Sequence, residues 1–454
     1  MNDITIARKL ARYAIDLSFN DLPDEVVYKT KRCILDSIGC ILGGFKTKIG
    51  DITGDMAKYL EGKPQSTFLG GGYKISAPYA ALFNAMLANV LDYDDTANGH
   101  PGATIIPPAL AISEVIEASG KDLITAVVLG YEISLRIGEA LKPSFEQQWK
   151  IWGFGSYQVF GAVSAAGKLL ELNEDEFINA LGIAGCNAPV SSLMRSIHGI
   201  SGVTMVKNNF GKSAETGIIA ALLAKRGFTG PEDILDGDEG FWRMYGSDQC
   251  DFDLMTSGLK NEYKIVNVEF KPYPCCRFLH SAIDGVLSIV KKHQITPKQI
   301  EEITINATKW VTKPPFNVRR PRSMLEAQFS PVYCMGVALS GIKPGPDWFK
   351  KSTLNNPEVL NIAKKVKIVP HEEEYTLLTR ADVELKANGK KYISSVEYPK
   401  GSPQNDMTDD ELEAKFKSLA VDSIKPSSID LATNTIQNLE TVVNMKEFMD
   451  LFSL

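Results

Sequence analysis

The fold class follows from the stretch Ser76-Ala77-Pro78-Tyr79-Ala80-Ala81-Leu82-Phe83-Asn84-Ala85-Met86-Leu87-Ala88-Asn89-Val90-Leu91. Ser76 and Pro78 are typical of a helix start, and the residues after them are small or apolar on most faces. A helix of this composition is buried among other helices. Similar alanine-rich segments occur at residues 105–119, 121–142, 156–171 and 213–226. The sequence therefore predicts a mostly α protein whose helices pack closely.

The pattern changes after residue 263, where strand-like alternation appears. Strands are predicted at residues 263–270, 300–307, 365–369, 381–385 and 391–398, with a helix at 281–292. Asn388-Gly389 is a hairpin signal between the last two strands. Helix is predicted again at 409–419 and 434–452. We therefore expect a large all-helical domain over residues 1–265 and a smaller α+β lid domain over residues 266–404, with residues 405–454 packing back on the helical domain.

The composition excludes several classes of protein. The chain has 454 residues, of which 44% are hydrophobic, so it can bury a large core and is not expected to be disordered. The chain has 49 Lys and Arg residues and 55 Asp and Glu residues, so its net charge is −6. This negative charge argues against a nucleic-acid partner. No apolar run approaches the ~20 residues of a membrane span, and no signal peptide is recognised. We expect a cytoplasmic protein with no membrane partner.

The cysteines and histidines argue against a zinc site and against an iron-sulfur cluster. Its seven cysteines are irregularly spaced without a CxxC motif, and its five histidines include no pair at i, i+4. The adjacent Cys275 and Cys276 point in different directions on a helix or a strand, so they make a poor ligand pair. An iron-sulfur cluster would need three or four converging cysteines.

Polar residues crowd the end of the apolar helix at residues 91–101. Asp92 and Asp95 would share a face if the helix continued, while His100 would lie in a loop beyond it. Thr96 adds a hydroxyl. Such a cluster is a candidate catalytic site, and the alternative is a solvated helix end in which Asp side chains close turns.

Two lysines occur in a second segment, at residues 205–213. Gly211-Lys212-Ser213 matches the end of a phosphate-binding loop, but Val206 stands where that motif requires glycine. Lys207 or Lys212 could instead pair with an anionic ligand. The alternative is a solvated loop lysine.

A third segment, residues 271–280, places two cations and an imidazole in a proline-rich turn before a predicted helix. Lys271, Arg277 and His280 could bind carboxylates, because a guanidinium contacts a carboxylate through two parallel hydrogen bonds. The alternative is a structural turn with Arg277 at the surface.

These segments belong to a set of motifs that occur in a characteristic order. The set comprises Leu35-Asp36-Ser37-Ile38-Gly39-Cys40, Asp92-Tyr93-Asp94-Asp95-Thr96 with His100-Pro101, Ala220-Ala221-Leu222-Leu223-Ala224 with Gly227-Phe228-Thr229-Gly230-Pro231, Lys271-Pro272-Tyr273-Pro274 with His280, and Glu326-Ala327-Gln328-Phe329-Ser330. Through them the chain resembles the MmgE/PrpD family, which includes 2-methylcitrate dehydratase, cis-aconitate decarboxylase and iminodisuccinate epimerase.

The resemblance implies a large helical domain with an α+β lid, a homodimer, and an active site between the domains that needs no metal or organic cofactor. It implies active-site roles for Asp92, Thr96, His100, Lys207 and Lys271. Three departures from the family pattern stand out. An expected histidine is replaced within Gly153-Phe154-Gly155, the segment near Lys207 is one residue shorter than is usual, and Cys276 stands where a decarboxylase relative carries histidine.

Removing a proton next to a carboxylate requires a placed base and cations where negative charge develops. We hypothesise that Lys207, Lys271 and Arg277 hold the carboxylates of a small polycarboxylate substrate, with His280 beside them.

His100 would then transfer the proton. Asp92 would orient it or balance its charge, and Thr96 would donate a hydrogen bond. The acid that protonates a leaving hydroxyl is left open between Tyr157 and a lysine.

These inferences point to a metal-independent lyase resembling 2-methylcitrate dehydratase. The first alternative is an epimerase of a small dicarboxylate such as iminodisuccinate, since epimerisation needs no leaving group. A cis-aconitate decarboxylase comes next, followed by a catalytically silent binding homologue.

Overall fold

The computed structural model describes residues 4–148, 150–151, 154–189, 203–371, 379–421 and 423–452. The α-helices of these ranges are α1 (Ile6–Asp16), α2 (Asp24–Phe45), α3 (Lys48–Leu60), α4 (Ala77–Val90), α5 (Pro101–Val115), α6 (Gly120–Ala140), α7 (Phe145–Gln148), α8 (Phe154–Tyr157), α9 (Val159–Leu169), α10 (Glu174–Cys186), α11 (Met205–Ala224), α12 (Phe241–Tyr245), α13 (His280–His293), α14 (Met324–Gln328), α15 (Pro331–Leu339), α16 (Lys351–Leu354), α17 (Pro357–Lys364), α18 (Asp409–Ala420), α19 (Pro426–Gln437) and α20 (Met445–Met449). The strands are β1 (Ser66–Phe68), β2 (Tyr73–Ile75), β3 (Ile300–Ala307), β4 (Val366–Pro370), β5 (Ala381–Ala387) and β6 (Lys390–Val396). The prediction of a mostly α protein is confirmed.

Helix α4 lies at the centre of the helical part and packs against α2, α5 and α11. Glycines permit two of these contacts. A Cβ atom on Gly44 of α2 would lie 2.2 Å from the Leu87 carbonyl oxygen, and one on Gly211 of α11 would lie 2.5 Å from the Leu82 carbonyl oxygen. Both distances are too short for any side chain, so these helices approach closely only because the residues are glycines. Gly211 thus packs inside a helix and is not part of a phosphate-binding loop.

Several predicted helix boundaries are wrong. Helix α5 begins at Pro101 instead of residue 105, because His100 is its N-cap and proline suits the first helical position. Helix α11 begins at Met205 instead of residue 213, so Lys207 lies on a helix. The segment predicted as one helix at 156–171 is divided between α8 and α9.

The second sheet has the strand order β4-β3-β5-β6, in which β3 and β4 are parallel and the other pairs are antiparallel. The predicted hairpin is confirmed: Asn388 and Gly389 have φ angles of 52° and 70°, as a tight turn between β5 and β6 requires.

The strand predicted at residues 263–270 is wrong. Lys264–Asn267 forms a 3₁₀ turn, and Glu269 makes only an isolated bridge with Thr96. The reason is a buried carboxylate in α6, because Glu132 accepts hydrogen bonds from the backbone N–H groups of Lys264 and Ile265. The segment therefore attaches to the helices and not to a sheet.

The long helix predicted at 434–452 is also wrong, since α19 ends at Gln437 and a separate short helix, α20, follows. Helix α18 packs against α2, and α20 packs against α5. The C-terminal residues therefore contact the helical part of the chain. The domain boundaries at residues 265 and 404 stay predictions.

Buried apolar residues form two clusters. The first contains residues from the helical part and the C-terminal helices, and the second is built around the β3–β6 sheet. Leu91 and Tyr93 belong to the second cluster, although they directly follow α4. The chain just after α4 thus lies where the two cores meet. Over the ranges described, the search for a helix that could cross a membrane gives none.

Candidate active site

Asp92 lies at this junction in an unusual backbone conformation. Helix α4 ends at Val90, and Asp92 has a φ of 51°, in the left-handed region that Asp tolerates better than most residues. The helix therefore does not continue, and Asp92 does not share a helical face with Asp95. Asp95 instead accepts hydrogen bonds from the Tyr131 hydroxyl at 2.6 Å and the Gly102 N–H at 2.8 Å.

Asp92 forms a buried ion pair with Lys271, whose Nζ lies 2.7 Å from Asp92 Oδ1 and 3.1 Å from the Asp92 carbonyl oxygen. Burial raises the pKa of Asp92, but the charges of Lys271, Lys207 and His100 outweigh it and leave that pKa below its ordinary value. Burial likewise lowers the pKa of Lys271, and the nearby carboxylates more than compensate. Both members of the pair are therefore charged.

The aspartate-rich segment and the proline-rich segment meet at further points. The Tyr93 hydroxyl donates to the Pro272 carbonyl oxygen at 3.1 Å, and the backbones of Thr96 and Glu269 exchange two hydrogen bonds of 2.9 Å. Two of the three segments singled out in the sequence thus form one site.

His100 contacts two carboxylates. Its Nδ1 lies 3.0 Å from Asp94 Oδ2, and its Nε2 lies 3.8 Å from Asp92 Oδ1. Burial raises the pKa of Asp94, but the charge and the hydrogen bond of His100 outweigh it, so the pKa is lowered. An ionised Asp94 accepts the Nδ1–H of His100, which places the lone pair of the neutral ring on Nε2. The imidazole edge packs against Phe210, with ring centroids 5.1 Å apart.

Lys207 joins the same cluster from α11. Its Nζ donates to Asn89 Oδ1 at 2.9 Å, and Asn89 Nδ2 donates to Asp94 Oδ1 at 3.1 Å. Burial lowers the pKa of Lys207. The third segment of the sequence is therefore part of the site. Lys207 also lines a cavity of about 1000 Å³, and Gln328 is another of its lining residues.

Thr96 and Tyr157 hold the loop that carries His100. Thr96 Oγ1 donates to the Gly99 carbonyl oxygen at 2.8 Å, and the Tyr157 hydroxyl donates to the Asn98 carbonyl oxygen. Tyr157 is buried, and burial together with Tyr245 raises its pKa well above the ordinary value. The hydroxyl proton of Tyr157 is therefore used in this hydrogen bond to the loop.

Arg277 lies in the turn before α13 and His280 is the first residue of that helix, and both are buried. The guanidinium of Arg277 donates to the Glu269 carboxylate, His280 Nδ1, the Lys400 and Pro399 carbonyl oxygens, and Ser402 Oγ. An arginine has five N–H groups, so these five contacts use all of them. Since His280 Nδ1 accepts from arginine, His280 is neutral and its Nε2–H donates to the Cys275 carbonyl oxygen at 3.1 Å.

Burial, Arg277 and Lys271 lower the pKa of His280 well below its ordinary value. The alternative of a structural turn with Arg277 at the surface is wrong in one respect, because Arg277 is buried. Its five N–H groups and the His280 ring are bonded within the protein, and the substrate-binding role of both residues stays a prediction.

A cation could in principle bind between Asp92, Asp94 and His100, whose potential ligand atoms lie within 4.8 Å of one another. The ammonium of Lys271 already lies 2.7 Å from Asp92 Oδ1, and Asn89 contacts Asp94. A divalent ion would have to displace this ammonium. The absence of a metal cofactor stays a prediction.

A family model described as the MmgE/PrpD N-terminal domain matches residues 8–253, and one described as the MmgE/PrpD C-terminal domain matches residues 273–441. The chain belongs to the MmgE/PrpD family. Similar family members include a cis-aconitate decarboxylase of Aspergillus terreus, which is 24% identical over 99% of this chain and 96% of its own. The cis-aconitate decarboxylase of Mus musculus is 26% identical over 96% and 89%, and that of Homo sapiens is 24% identical over 96% and 92%.

The departure from the MmgE/PrpD pattern at Gly155 has a structural counterpart. A Cβ atom at this position would lie 2.3 Å from Asn209 Nδ2, and the Gly155 carbonyl oxygen accepts a hydrogen bond from Ser213. Helix α11 therefore occupies the space of a side chain at residue 155.

Four residues that contribute to this candidate site were given no role from the sequence. Asp94 is the carboxylate that holds Nδ1 of His100, a role that the sequence analysis gave to Asp92. Asn89 links Lys207 to Asp94, and its position in an otherwise apolar helix is a signal that could have found it.

Lys415 and Asp36 form a buried ion pair behind the cluster, with 2.6 Å between Nζ and Oδ1. They lie 379 residues apart, and no local pattern connects them.

Proposed function

We propose that the protein is a metal-independent lyase that acts on a small polycarboxylic acid through proton transfer at a carbon next to a carboxylate. One observation carries the proposal: His100, oriented by ionised Asp94, shares a buried cluster with the ammonium groups of Lys207 and Lys271. A base and two cations in one site meet the electrostatic requirement for a carbanion next to a carboxylate.

His100 Nε2 accepts the proton in this mechanism. Asp94 holds the Nδ1–H and stabilises the imidazolium that forms, as a carboxylate does for a catalytic histidine in other enzymes. The negative charge moves from the carbon onto the substrate carboxylate. Lys207 and Lys271 offset that charge. The electrostatic attraction between these ammonium groups and the substrate is stronger in a site from which water is excluded.

Dehydration is the reaction we place first, with 2-methylcitrate as the type of substrate. The C–H bond breaks with its proton going to His100, a C=C bond forms, and the C–O bond to the hydroxyl breaks. Lys207 supplies the proton that turns the leaving hydroxyl into water, because burial lowers its pKa and makes it a better acid. Tyr157 is the other candidate for this proton donor, but its hydroxyl already donates to the Asn98 carbonyl oxygen.

Decarboxylation of cis-aconitate is the second candidate, and the relatives named cis-aconitate decarboxylase favour it. Here a C–CO₂ bond breaks and its electrons form a new C=C bond, while the electrons of the original double bond move toward the carboxylate with which it is conjugated. The carbon next to that carboxylate then takes a proton from protonated His100, which gives itaconate. This reaction needs one proton donor. Dehydration needs a base and a separate acid, and His100 together with Lys207, whose pKa burial lowers, can fill both roles, which is why we place dehydration first.

The test is incubation of the purified protein with 2-methylcitrate, citrate, cis-aconitate or iminodisuccinate in D₂O, followed by NMR. We expect loss of water from a hydroxy acid, while itaconate from cis-aconitate would establish the second candidate. Deuterium entering iminodisuccinate without loss of water would replace both with an epimerase. Binding of these acids without any turnover would show a silent homologue.

The same reactions with His100→Ala are the control, since a contaminating enzyme would remain active in that preparation. The homodimer that the family resemblance implies and the cytoplasmic location that the sequence predicts stay predictions.

A further inference from the structure

The two ammonium groups of the candidate active site have different partners. Lys271 Nζ lies 2.7 Å from Asp92 Oδ1 and forms an ion pair with this carboxylate. Lys207 Nζ instead donates a hydrogen bond of 2.9 Å to Asn89 Oδ1, the oxygen of a neutral amide. Among the residues that the structure describes, no Asp or Glu forms an ion pair with Lys207. One lysine of the site is thus in direct contact with a carboxylate, and the other is not.

Asn89 occupies the last turn of α4 and is buried between these groups. Its Nδ2 donates to Asp94 Oδ1 at 3.1 Å, and its backbone carbonyl oxygen accepts the Asp92 N–H at 3.0 Å. An ammonium can only donate and an ionised carboxylate can only accept, so the amide oxygen faces Lys207 and the amide nitrogen faces Asp94. The Asn89 side chain therefore separates the Lys207 ammonium from the Asp94 carboxylate while it bonds to both.

The titratable groups around Lys207 come from two segments. Asp92 and Asp94 follow α4, and Lys271 and Cys276 belong to the proline-rich segment. Burial lowers the pKa of Lys207, and the two carboxylates, which act from a distance, do not restore it. Burial also lowers the pKa of Lys271, but direct contact with Asp92 outweighs it, so that pKa is raised. The partner at contact distance therefore determines which lysine releases a proton more readily, because a carboxylate stabilises an ammonium more than an amide does.

We propose that Asn89 is a positioning residue, which holds Lys207 by a neutral contact and so keeps it available as the proton donor while Lys271 stays charged. This proposal rests on the proposed function, in which Lys207 protonates the leaving hydroxyl. A carboxylate at residue 89 would pair with Lys207 as Asp92 pairs with Lys271, and the proton would be released less readily. An apolar side chain at residue 89 would leave both Lys207 and Asp94 without this hydrogen-bond partner.

The pKa of Lys207 can be measured without turnover. Cyanate carbamylates only the neutral form of an amine, and it is a small anion that suits the cavity lined by Lys207. Labelling of the full chain at several pH values, followed by peptide mapping with mass spectrometry, gives the rate at this residue. Asn89→Asp adds a charge at contact distance and is expected to decrease the acid dissociation constant of Lys207 by about tenfold or more. Asn89→Leu removes the acceptor without adding a charge, so this constant is expected to increase several-fold, because the ammonium loses a hydrogen bond.

Lys212 is the internal control, because it lies exposed on the same helix and pairs with Glu215. Its labelling profile is expected to be the same in all three proteins, and urea unfolding shows whether each variant is folded. Asn89→Ser, with a side chain shorter than that of asparagine, replaces Asn89→Leu if the latter does not fold.

An acid dissociation constant of Lys207 that is the same in the wild-type protein and in a folded Asn89 variant would overturn the proposal. A change in the same direction in Asn89→Asp and Asn89→Leu would also overturn it, because a general distortion of the site does not depend on the charge at residue 89.

Steady-state kinetics connects this contact to catalysis. A lysine that donates a proton must be protonated, so kcat falls at high pH, where Lys207 loses its proton. Asn89→Asp is expected to move this alkaline limb of the kcat profile to higher pH and to lower kcat by about tenfold or more, while KM changes less than about threefold. An alkaline limb that stays in place when the pKa of Lys207 moves would overturn the role of Asn89 in keeping the proton donor available.

The outcomes separate this proposal from the proposed function. Opposite changes of the Lys207 pKa in Asn89→Asp and Asn89→Leu, without turnover of any acid by the wild-type protein, would reject only the lyase. Turnover by a protein in which residue 89 does not affect the pKa of Lys207 would reject only the role of Asn89.

Discussion

Lys415 Nζ lies 2.6 Å from Asp36 Oδ1, and this buried pair joins α18 to α2 directly behind the candidate active site. The same ammonium donates to the Tyr93 carbonyl oxygen at 2.6 Å and to the Lys271 carbonyl oxygen at 3.0 Å. One side chain from the C-terminal part thus holds both backbone segments that carry the Asp92–Lys271 ion pair.

Lys415→Met is expected to lower the free energy of unfolding by about 3–5 kcal/mol, because it leaves Asp36 as a buried charge without its partner. Urea unfolding measures this loss. Adding Asp36→Asn in the double variant is expected to recover part of it. Lys417→Met, at a half-buried lysine of the same helix, is the control and should have little effect, because ion pairs with solvent-accessible partners such as Glu413 and Asp430 contribute little to stability. Similar losses in Lys415→Met and Lys417→Met would contradict the structural role.

His100→Ala is expected to lower kcat by about 10²-fold or more, the usual contribution of a general acid-base group. Asp94→Asn should also lower kcat by at least about 10²-fold, since it removes the charge that orients His100 and stabilises the imidazolium. Steady-state kinetics with the substrate identified by NMR provides the measurement, and His293→Ala, at an exposed histidine of α13, is the control. Near-normal turnover of His100→Ala would remove this residue from the mechanism.

The stability of the protein is expected to fall as the pH rises through the titration of Asp95. Burial raises the pKa of Asp95 to about 7 from the ordinary 3.8, so the folded state binds this proton more tightly than the unfolded state. The contribution is therefore fully present below about pH 4 and is lost as the pH rises to about 7, with about 2–3 kcal/mol lost between about pH 5 and pH 7.

Asp95→Asn should remove this part of the pH dependence, because an amide can keep the contacts to Gly102 and Tyr131 without a charge. Urea unfolding of both proteins at several pH values gives the difference. Parallel stability curves for the two proteins would show that the pKa of Asp95 does not change on folding.

Chelators are expected to leave turnover unchanged. The Lys271 ammonium lies 2.7 Å from Asp92 Oδ1, beside the one cluster of potential metal ligands found among the residues described. Activity assays after dialysis against EDTA provide the measurement. Loss of activity that returns on adding a divalent metal would show that the site uses an ion, and Lys271 would then need another role.

The sequence by itself determined the features that depend on neighbours in the chain. The small apolar residues of α4 predicted a buried helix, and Asn388-Gly389 predicted the β5–β6 hairpin, because helix burial pattern and turn conformation are local properties. Motif order identified the family and brought Asp92, His100, Lys207 and Lys271 forward as candidates.

The tertiary structure decided what depends on distant partners. From the sequence alone, Arg277 was a candidate for binding a substrate. In the folded chain its guanidinium donates to five acceptors, including those of residues 399–402. Polar and apolar side chains alternate along residues 263–270 as in a strand. The Glu132 carboxylate of α6, however, accepts the hydrogen bonds of the Lys264 and Ile265 N–H groups, so they are not available to a sheet. The pairing of Lys415 with Asp36 has no local signature. A buried charge or N–H group must find a partner somewhere in the folded chain, and only the packed structure specifies which one.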